Sequence, residues 1–128
     1  MLDTSVVIDL ERLDRADLPV ELAVSAITLA ELAAGPYVSG DPTERSERQD
    51  RLQRAEATFE SLPFDSNAAR AYGRVYAAVS STGRKARGAR AVDLLIAATA
   101  VANGLPLYTR NPDDFVGLDG LVDVIAVP

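Results

Sequence analysis

The chain contains no histidine and no cysteine. Without histidine, Ser-His-Asp catalysis, the two-histidine route to RNA cleavage and ordinary zinc sites are excluded. Without cysteine there is no disulfide, no thiolate nucleophile and no cysteine-built zinc site. Lysine is scarce as well, Lys85 being the only one. No apolar run is long enough to cross a bilayer and no signal peptide is apparent, so a cytoplasmic protein without membrane contact is expected. Repeats, low-complexity tracts and linkers are also missing. Acid–base chemistry therefore falls to carboxylates, lysine, tyrosine or water bound to a metal.

What is present suits one domain over residues 1–128, with 48% hydrophobic and 25% charged residues. The net charge of −6 gives no overall attraction to nucleic acid. The opening Met1-Leu2-Asp3-Thr4-Ser5-Val6-Val7-Ile8 reads as a short buried strand ending at Asp3. Thr4 or Ser5 then caps a helix over residues 5–13. In parallel sheets ligands bind beyond the carboxyl ends of strands, where Asp3 stands. The competing reading makes Asp3 only a turn or cap residue.

A second strand is expected over residues 20–25. A helix follows through Glu31 and stops or breaks at Gly35-Pro36. Thr28 and Glu31 have capping-box spacing, which is the structural alternative to a site role for Glu31. Residues 43–62 carry alternating charges and a narrow stripe of Leu52, Ala55 and Phe59, predicting a solvated helix in a hairpin or a dimer contact. A third strand is expected at Leu62-Pro63-Phe64. Asp65-Ser66-Asn67 caps a helix over 68–80, with Asp65 more plausibly a cap than a site acid.

Residues 81–90 carry Arg84, Lys85, Arg87 and Arg90 and no acid. The bland reading is a solvated loop; the functional one has Arg84, Lys85 and Arg87 contacting RNA phosphates. The next stretch, 91–104, is apolar nearly all round, predicting a central buried helix with Asp93 as its only charge. A buried carboxylate needs a cap role, a cation or a metal. As a first-turn acid, Asp93 could simply satisfy the helix dipole. Strands are expected at 106–109 and 121–127, and the polar Arg110-Asn111-Pro112-Asp113-Asp114-Phe115 follows the first of them. The alternation predicts a three-layer α/β/α domain with a central, mostly parallel sheet of about five short strands.

Asp3, Glu31, Asp93 and Asp113/Asp114 each follow a strand or open a helix, and a doubly wound sheet can bring them to one edge. Clustered carboxylates repel one another unless a cation neutralises them. Hard oxygen ligands select Mg²⁺ or Mn²⁺. Metal-dependent phosphodiester hydrolysis fits such a site without histidine.

Four segments carry a resemblance: Leu2-Asp3-Thr4-Ser5-Val6, Ile27-Thr28-Leu29-Ala30-Glu31-Leu32, Val92-Asp93-Leu94-Leu95-Ile96-Ala97-Ala98-Thr99-Ala100, and Tyr108-Thr109-Arg110-Asn111-Pro112-Asp113-Asp114-Phe115. In this order the sequence resembles the PIN-domain family, and within it the VapC-type toxins of bacterial toxin–antitoxin pairs. The resemblance implies an endoribonuclease using Mg²⁺ or Mn²⁺, homodimerisation and inhibition by a cognate VapB-type antitoxin. It implies catalytic roles for Asp3, Glu31, Asp93 and Asp114, with Asp3, Asp93 and Asp114 as metal ligands. For the fourth position Asp114 is favoured. Asn111 is then a polar second ligand, and Asp113 the third choice. Thr4, Ser5 and Thr109 resemble supporting hydroxyls. The family has more apolar residues before its first aspartate, so an upstream start or a trimmed chain is expected.

Two rivals share parts of this pattern. A phosphatase or phosphotransferase would use Asp3 as nucleophile, but Ser5 stands where that class has a second aspartate. A non-catalytic receiver-like module would use Asp65 as phosphoacceptor. Both expect a lysine near a late strand end, and this chain has none there.

Overall fold

The opening residues organise the sheet. A computed structural model describes residues 1–84 and 88–128, and of Ala89 the backbone only. Leu2 forms a parallel bridge to Val24 on one side and to Tyr108 on the other. Strand β1 (Ala23–Ser25) pairs in parallel with β2 (Glu60–Leu62), and β3 (Leu107–Thr109) with β4 (Val124–Ala126). The order across the sheet is therefore β2-β1-Leu2-β3-β4. The expected count of about five strands is corrected to four strands plus this single-residue rung among the described residues. The reason is length: only Met1 and Leu2 precede Asp3. Each can still pair, through Leu2 N–H to the Ala23 carbonyl (2.8 Å) and Tyr108 N–H to the Met1 carbonyl (2.9 Å).

Successive side chains of a strand point to opposite faces. Met1 accordingly joins one core with Ala71, Val75, Val79, Leu94, Ile96 and Leu107. Leu2 joins the other with Val6, Val24, Leu32, Ala55 and Phe59. Helices α4 (Ser66–Ser80) and α5 (Ala89–Ala102) supply the first layer. Helices α1 (Thr4–Ile8), α2 (Ala26–Val38) and α3 (Pro42–Thr58) supply the second. The three-layer α/β/α architecture is thus as expected. Leu94, Ile96, Ala97, Ala98 and Ala100 of α5 are fully buried, as its nearly all-round apolarity implies.

Several boundaries differ from expectation. Helix α1 ends at Ile8, and Leu10–Arg12 forms a separate 3₁₀ turn. Asp9 is the hinge between them, and its carboxylate is engaged by Arg110 (2.5 Å). Helix α2 runs through Pro36 to Val38. Pro36 has no N–H to give to the Leu32 carbonyl, and the helix ends two residues later. Arg48 of α3 donates to the adjoining Gly35 carbonyl (2.9 Å), tying α2 and α3 into the anticipated hairpin. Strand β2 stops at Leu62 because Pro63 has no N–H for the ladder. Helix α5 starts at Ala89, ahead of the expected Ala91. After β3, a 3₁₀ turn (Pro112–Phe115) leads to Gly117, whose φ of +97° admits a close approach. A Cβ there would lie 2.8 Å from Thr82 Cγ2, so the end of α4 sits against this turn.

Candidate active site

Asp3 lies just past the Leu2 rung, at the carboxyl edge of the sheet. It is the N-cap residue of α1 by backbone geometry, yet its side chain makes no capping bond. The carboxylate is 5% exposed and points elsewhere. Ser5 Oγ and Thr109 Oγ1 each donate to Asp3 Oδ2 at 2.8 Å. Oδ1 stays outside this pair. Thr109 is fully buried at the end of β3, and Ser5 Oγ also accepts from Arg110 N–H (3.1 Å). Two neighbouring strand ends and α1 are thereby locked around one carboxylate, and the cap reading of Asp3 does not account for its side chain.

Glu31 projects from α2. Ser25, not Thr28, caps that helix, its hydroxyl accepting from Thr28 N–H at 3.0 Å. The capping-box alternative for Glu31 therefore falls. Instead, Thr4 Oγ1 donates to Glu31 Oε1 at 2.6 Å. Glu31 is exposed and borders a groove of about 710 Å³ also lined by Thr4, Ile8, Leu32, Glu44 and Arg48.

Asp93 is the fifth residue of α5, whose first turn holds no acid. The early start at Ala89 thus removes the simple dipole explanation. Burial pushes the Asp93 carboxyl up to about 7, and the charges of Asp3, Asp114 and Glu31 push it the same way, with Arg90 opposing. Asp114 is half-buried in the 3₁₀ turn, whereas Asp113 and Asn111 are exposed. Asn111 reaches the network through its backbone, its N–H donating to Thr109 Oγ1 (3.0 Å).

Asp3, Glu31, Asp93 and Asp114 therefore share one electrostatic neighbourhood. Among the described residues, however, no group of three or more acids already stands close enough to form a metal cage. The two observations measure different ranges. Charges influence one another over several ångströms, while direct Mg²⁺ coordination needs about 2.0–2.1 Å. The all-oxygen donor set fits a hard divalent cation that keeps part of its water shell.

Of the basic residues expected to touch RNA, Arg84 donates to the Asp113 carbonyl (2.8 Å), while Lys85 and Arg87 lie outside the described residues. Arg90 adds a contact to the Asp114 carbonyl (3.3 Å). The 3₁₀ turn carrying the acids is thus held from both ends of the α4–α5 connection. Sequence reasoning gave Arg90 only as part of the basic strip and passed over the Asp9–Arg110 pair, and Ser25 and Thr28 as site support. Ser25, Thr28 and Glu31 recur at a spacing of three, which is one face of a helix and was a usable signal.

The PIN-domain family profile matches residues 1–121. The chain is 39% identical over 127 residues to Ribonuclease VapC5 of Mycobacterium tuberculosis, covering 97% of this chain and 90% of that protein. It is 36% identical to VapC ribonuclease Y4jK of Sinorhizobium fredii, covering 93% of each. The crystal structure of VapBC-5, a toxin–antitoxin system from Mycobacterium tuberculosis, superposes with a TM-score of 0.85 at 39% identity, covering 98% of this chain and 96% of that one. The fold, the acids at the sheet edge and these likenesses agree: the chain belongs to the PIN-domain family.

Proposed function

We propose that this protein is a VapC-type endoribonuclease, the toxin of a toxin–antitoxin pair, which hydrolyses RNA phosphodiester bonds with Mg²⁺ or Mn²⁺. The observation that carries the reading is the buried Asp3 carboxylate at the carboxyl edge of the sheet, held by Ser5 and Thr109. The raised Asp93 carboxyl, pushed up by burial and then by Asp3, Asp114 and Glu31, supports it. Ribonuclease relatives at 36–39% identity over nearly the whole chain support it.

Asp3, Asp93 and Asp114 would hold the cation, which supplies charge neutralisation and polarises the phosphodiester. Ser5 and Thr109 orient the Asp3 carboxylate, which supports its role as a ligand. Glu31, held by Thr4 and open to the groove, would accept a proton from the attacking water. The water oxygen would bond to phosphorus as the bond to the leaving ribose oxygen breaks, that oxygen taking a proton from solvent water. Asn111 and Asp113, both exposed, are candidates for contacts through water. Lys85 and Arg87 remain the proposed RNA phosphate contacts, with Arg84 acting first on the Asp113 turn.

The partners proposed are a VapB-type antitoxin, a second copy of the chain in a homodimer, and RNA. The acidic site would accept a guanidinium from the antitoxin. Light scattering reads the dimer. No helix of the described residues is long and apolar enough to cross a membrane.

The test is cleavage of single-stranded RNA by purified protein with Mg²⁺ or Mn²⁺ and with excess EDTA, beside a generic phosphomonoester. Cleavage of RNA alone, lost in EDTA, is expected. Full activity in EDTA, or phosphomonoester turnover in place of RNA cleavage, would overturn the proposal.

A further inference from the structure

Beneath Glu31 lies a set of hydroxyl groups that apolar residues could have replaced. Ser25 and Thr28 are both fully buried, at the end of β1 and in the first turn of α2. Their Oγ and Oγ1 atoms are 3.3 Å apart, and Thr28 Oγ1 is 3.0 Å from Thr4 Oγ1. Thr4 Oγ1 in turn reaches Glu31 Oε1 at 2.6 Å. The hydroxyls thus connect the sheet edge, through α2 and α1, to an exposed carboxylate.

Burying hydroxyls is unfavourable unless they are satisfied, and here they satisfy one another. Thr28 stands one helical turn before Glu31 on the same face of α2, so its Oγ1 and the carboxylate meet Thr4 from one side. An exposed glutamate would otherwise sample several rotamers. A short bond to the charged group from a donor that is itself fixed removes that freedom. Thr4 also follows Asp3 directly in the chain, so whatever fixes Thr4 fixes the relation between the two acids.

We infer that Thr28, anchored by Ser25, is a positioning residue that acts through Thr4 to hold the Glu31 carboxylate in register with Asp3. The inference rests on the catalytic reading of Glu31. It concerns a side chain that touches neither RNA nor the reacting atoms.

The test is a double-mutant cycle of Thr28→Val and Glu31→Gln, with Thr28→Ser as the conservative rescue. Three quantities are measured in the full chain: the initial rate on single-stranded RNA, the affinity for Mn²⁺ alone, and the melting temperature. Thr28→Val should lower the rate by about 10-fold, the lower end of what supporting groups contribute, while Mn²⁺ affinity and melting temperature stay near wild type. Thr28→Ser should recover most of the rate. In the Glu31→Gln background Thr28→Val should add no further loss. A wild-type rate in Thr28→Val, a rate loss matched by lost Mn²⁺ affinity and a lower melting temperature, or an equal loss in both backgrounds, would overturn the inference. Wild-type behaviour of Glu31→Gln alone would overturn the reading of Glu31 and the inference with it. An inactive Glu31→Gln beside an undiminished Thr28→Val removes only the inference. If Thr28→Val does not fold, Thr28→Ala enters the same cycle and is judged by the same outcomes.

Discussion

The two sides of the acid cluster are held by opposite means. Asp3 and Glu31 receive hydroxyl donors: Ser5 and Thr109 on the first, Thr4 on the second. These bonds fix the orientation of each carboxylate against a neighbouring element. Asp93, half-buried in an apolar helix, receives no side-chain hydrogen bond among the described residues, and its carboxyl is pushed up to about 7. One side is held by hydrogen bonds; on the other, burial first and the neighbouring acids second disfavour the charged form of Asp93. No three of the described acids are yet close enough to share a metal ion.

Breaking the unsupported side should have the largest effect. Asp93→Asn keeps shape and removes one charge, so RNA cleavage should fall by orders of magnitude, while the metal-free protein melts at the same or a higher temperature. Reduced activity with a clearly lower melting temperature would instead mark Asp93 as structural.

Breaking the supported side should act on both activity and stability. Replacing Ser5 by Ala and Thr109 by Val together leaves the buried Asp3 carboxylate without its donors. The expected loss is about 10–100-fold in cleavage and roughly 1–3 kcal/mol in denaturant-derived stability. Stability unchanged beside full activity would show that the two hydroxyls do not orient Asp3.

The contrast also predicts a pH dependence whose sign is informative. The Asp93 carboxyl is at about 7 when folded, against an ordinary value of 3.8. The folded state binds the proton more tightly, so Asp93 contributes stability at acid pH that is lost as pH rises from about 4 to about 7. Urea titrations of metal-free protein across that window should show the decline, and Asp93→Asn should flatten it. A rise in stability of wild type relative to Asp93→Asn over the same window would contradict the assignment.

The smallest effect is expected at the basic loop. Arg84 serves the Asp113 carbonyl, so Arg84→Gln should leave the salt slope of RNA binding nearly unchanged. Replacing Lys85 and Arg87 together should reduce that slope by about 1.4, at roughly 0.7 per phosphate on single strands. An undiminished slope in the double variant would make this stretch a solvated connection.

These contrasts bear on what was legible in the chain. Asp3 and Asp114 could be placed beyond strands because apolar runs ending in polar residues mark strand ends, and Glu31 and Asp93 could be assigned to helices, though not to their exact turns. The layer order followed from the alternation of elements. What could not be read depended on contacts distant in sequence. Whether Thr28 or Ser25 caps α2 depends on where β1 ends, and β1 is registered by Leu2 and β2. The start of α5 two residues early took Asp93 out of the first turn. Local propensity at Ala89-Arg90 does not reveal this, because Arg90 is also bound to Asp114's backbone across the fold. Arg84 was read as free charge because nothing nearby in sequence hints at the carbonyl it meets. Pro36 and Pro63 show the limit of a local rule: one sits inside a helix end and the other ends a strand.

The central claim, that one carboxylate cluster awaits a divalent cation, is tested most directly by thermal melting of wild type and Asp93→Asn with and without Mg²⁺. A ligand at 100 times its dissociation constant stabilises by about 2.7 kcal/mol when it binds only the folded state. The account predicts an upward shift of that order for wild type at saturating Mg²⁺, and little or none for Asp93→Asn. Equal shifts in both proteins, or none in either, would contradict it.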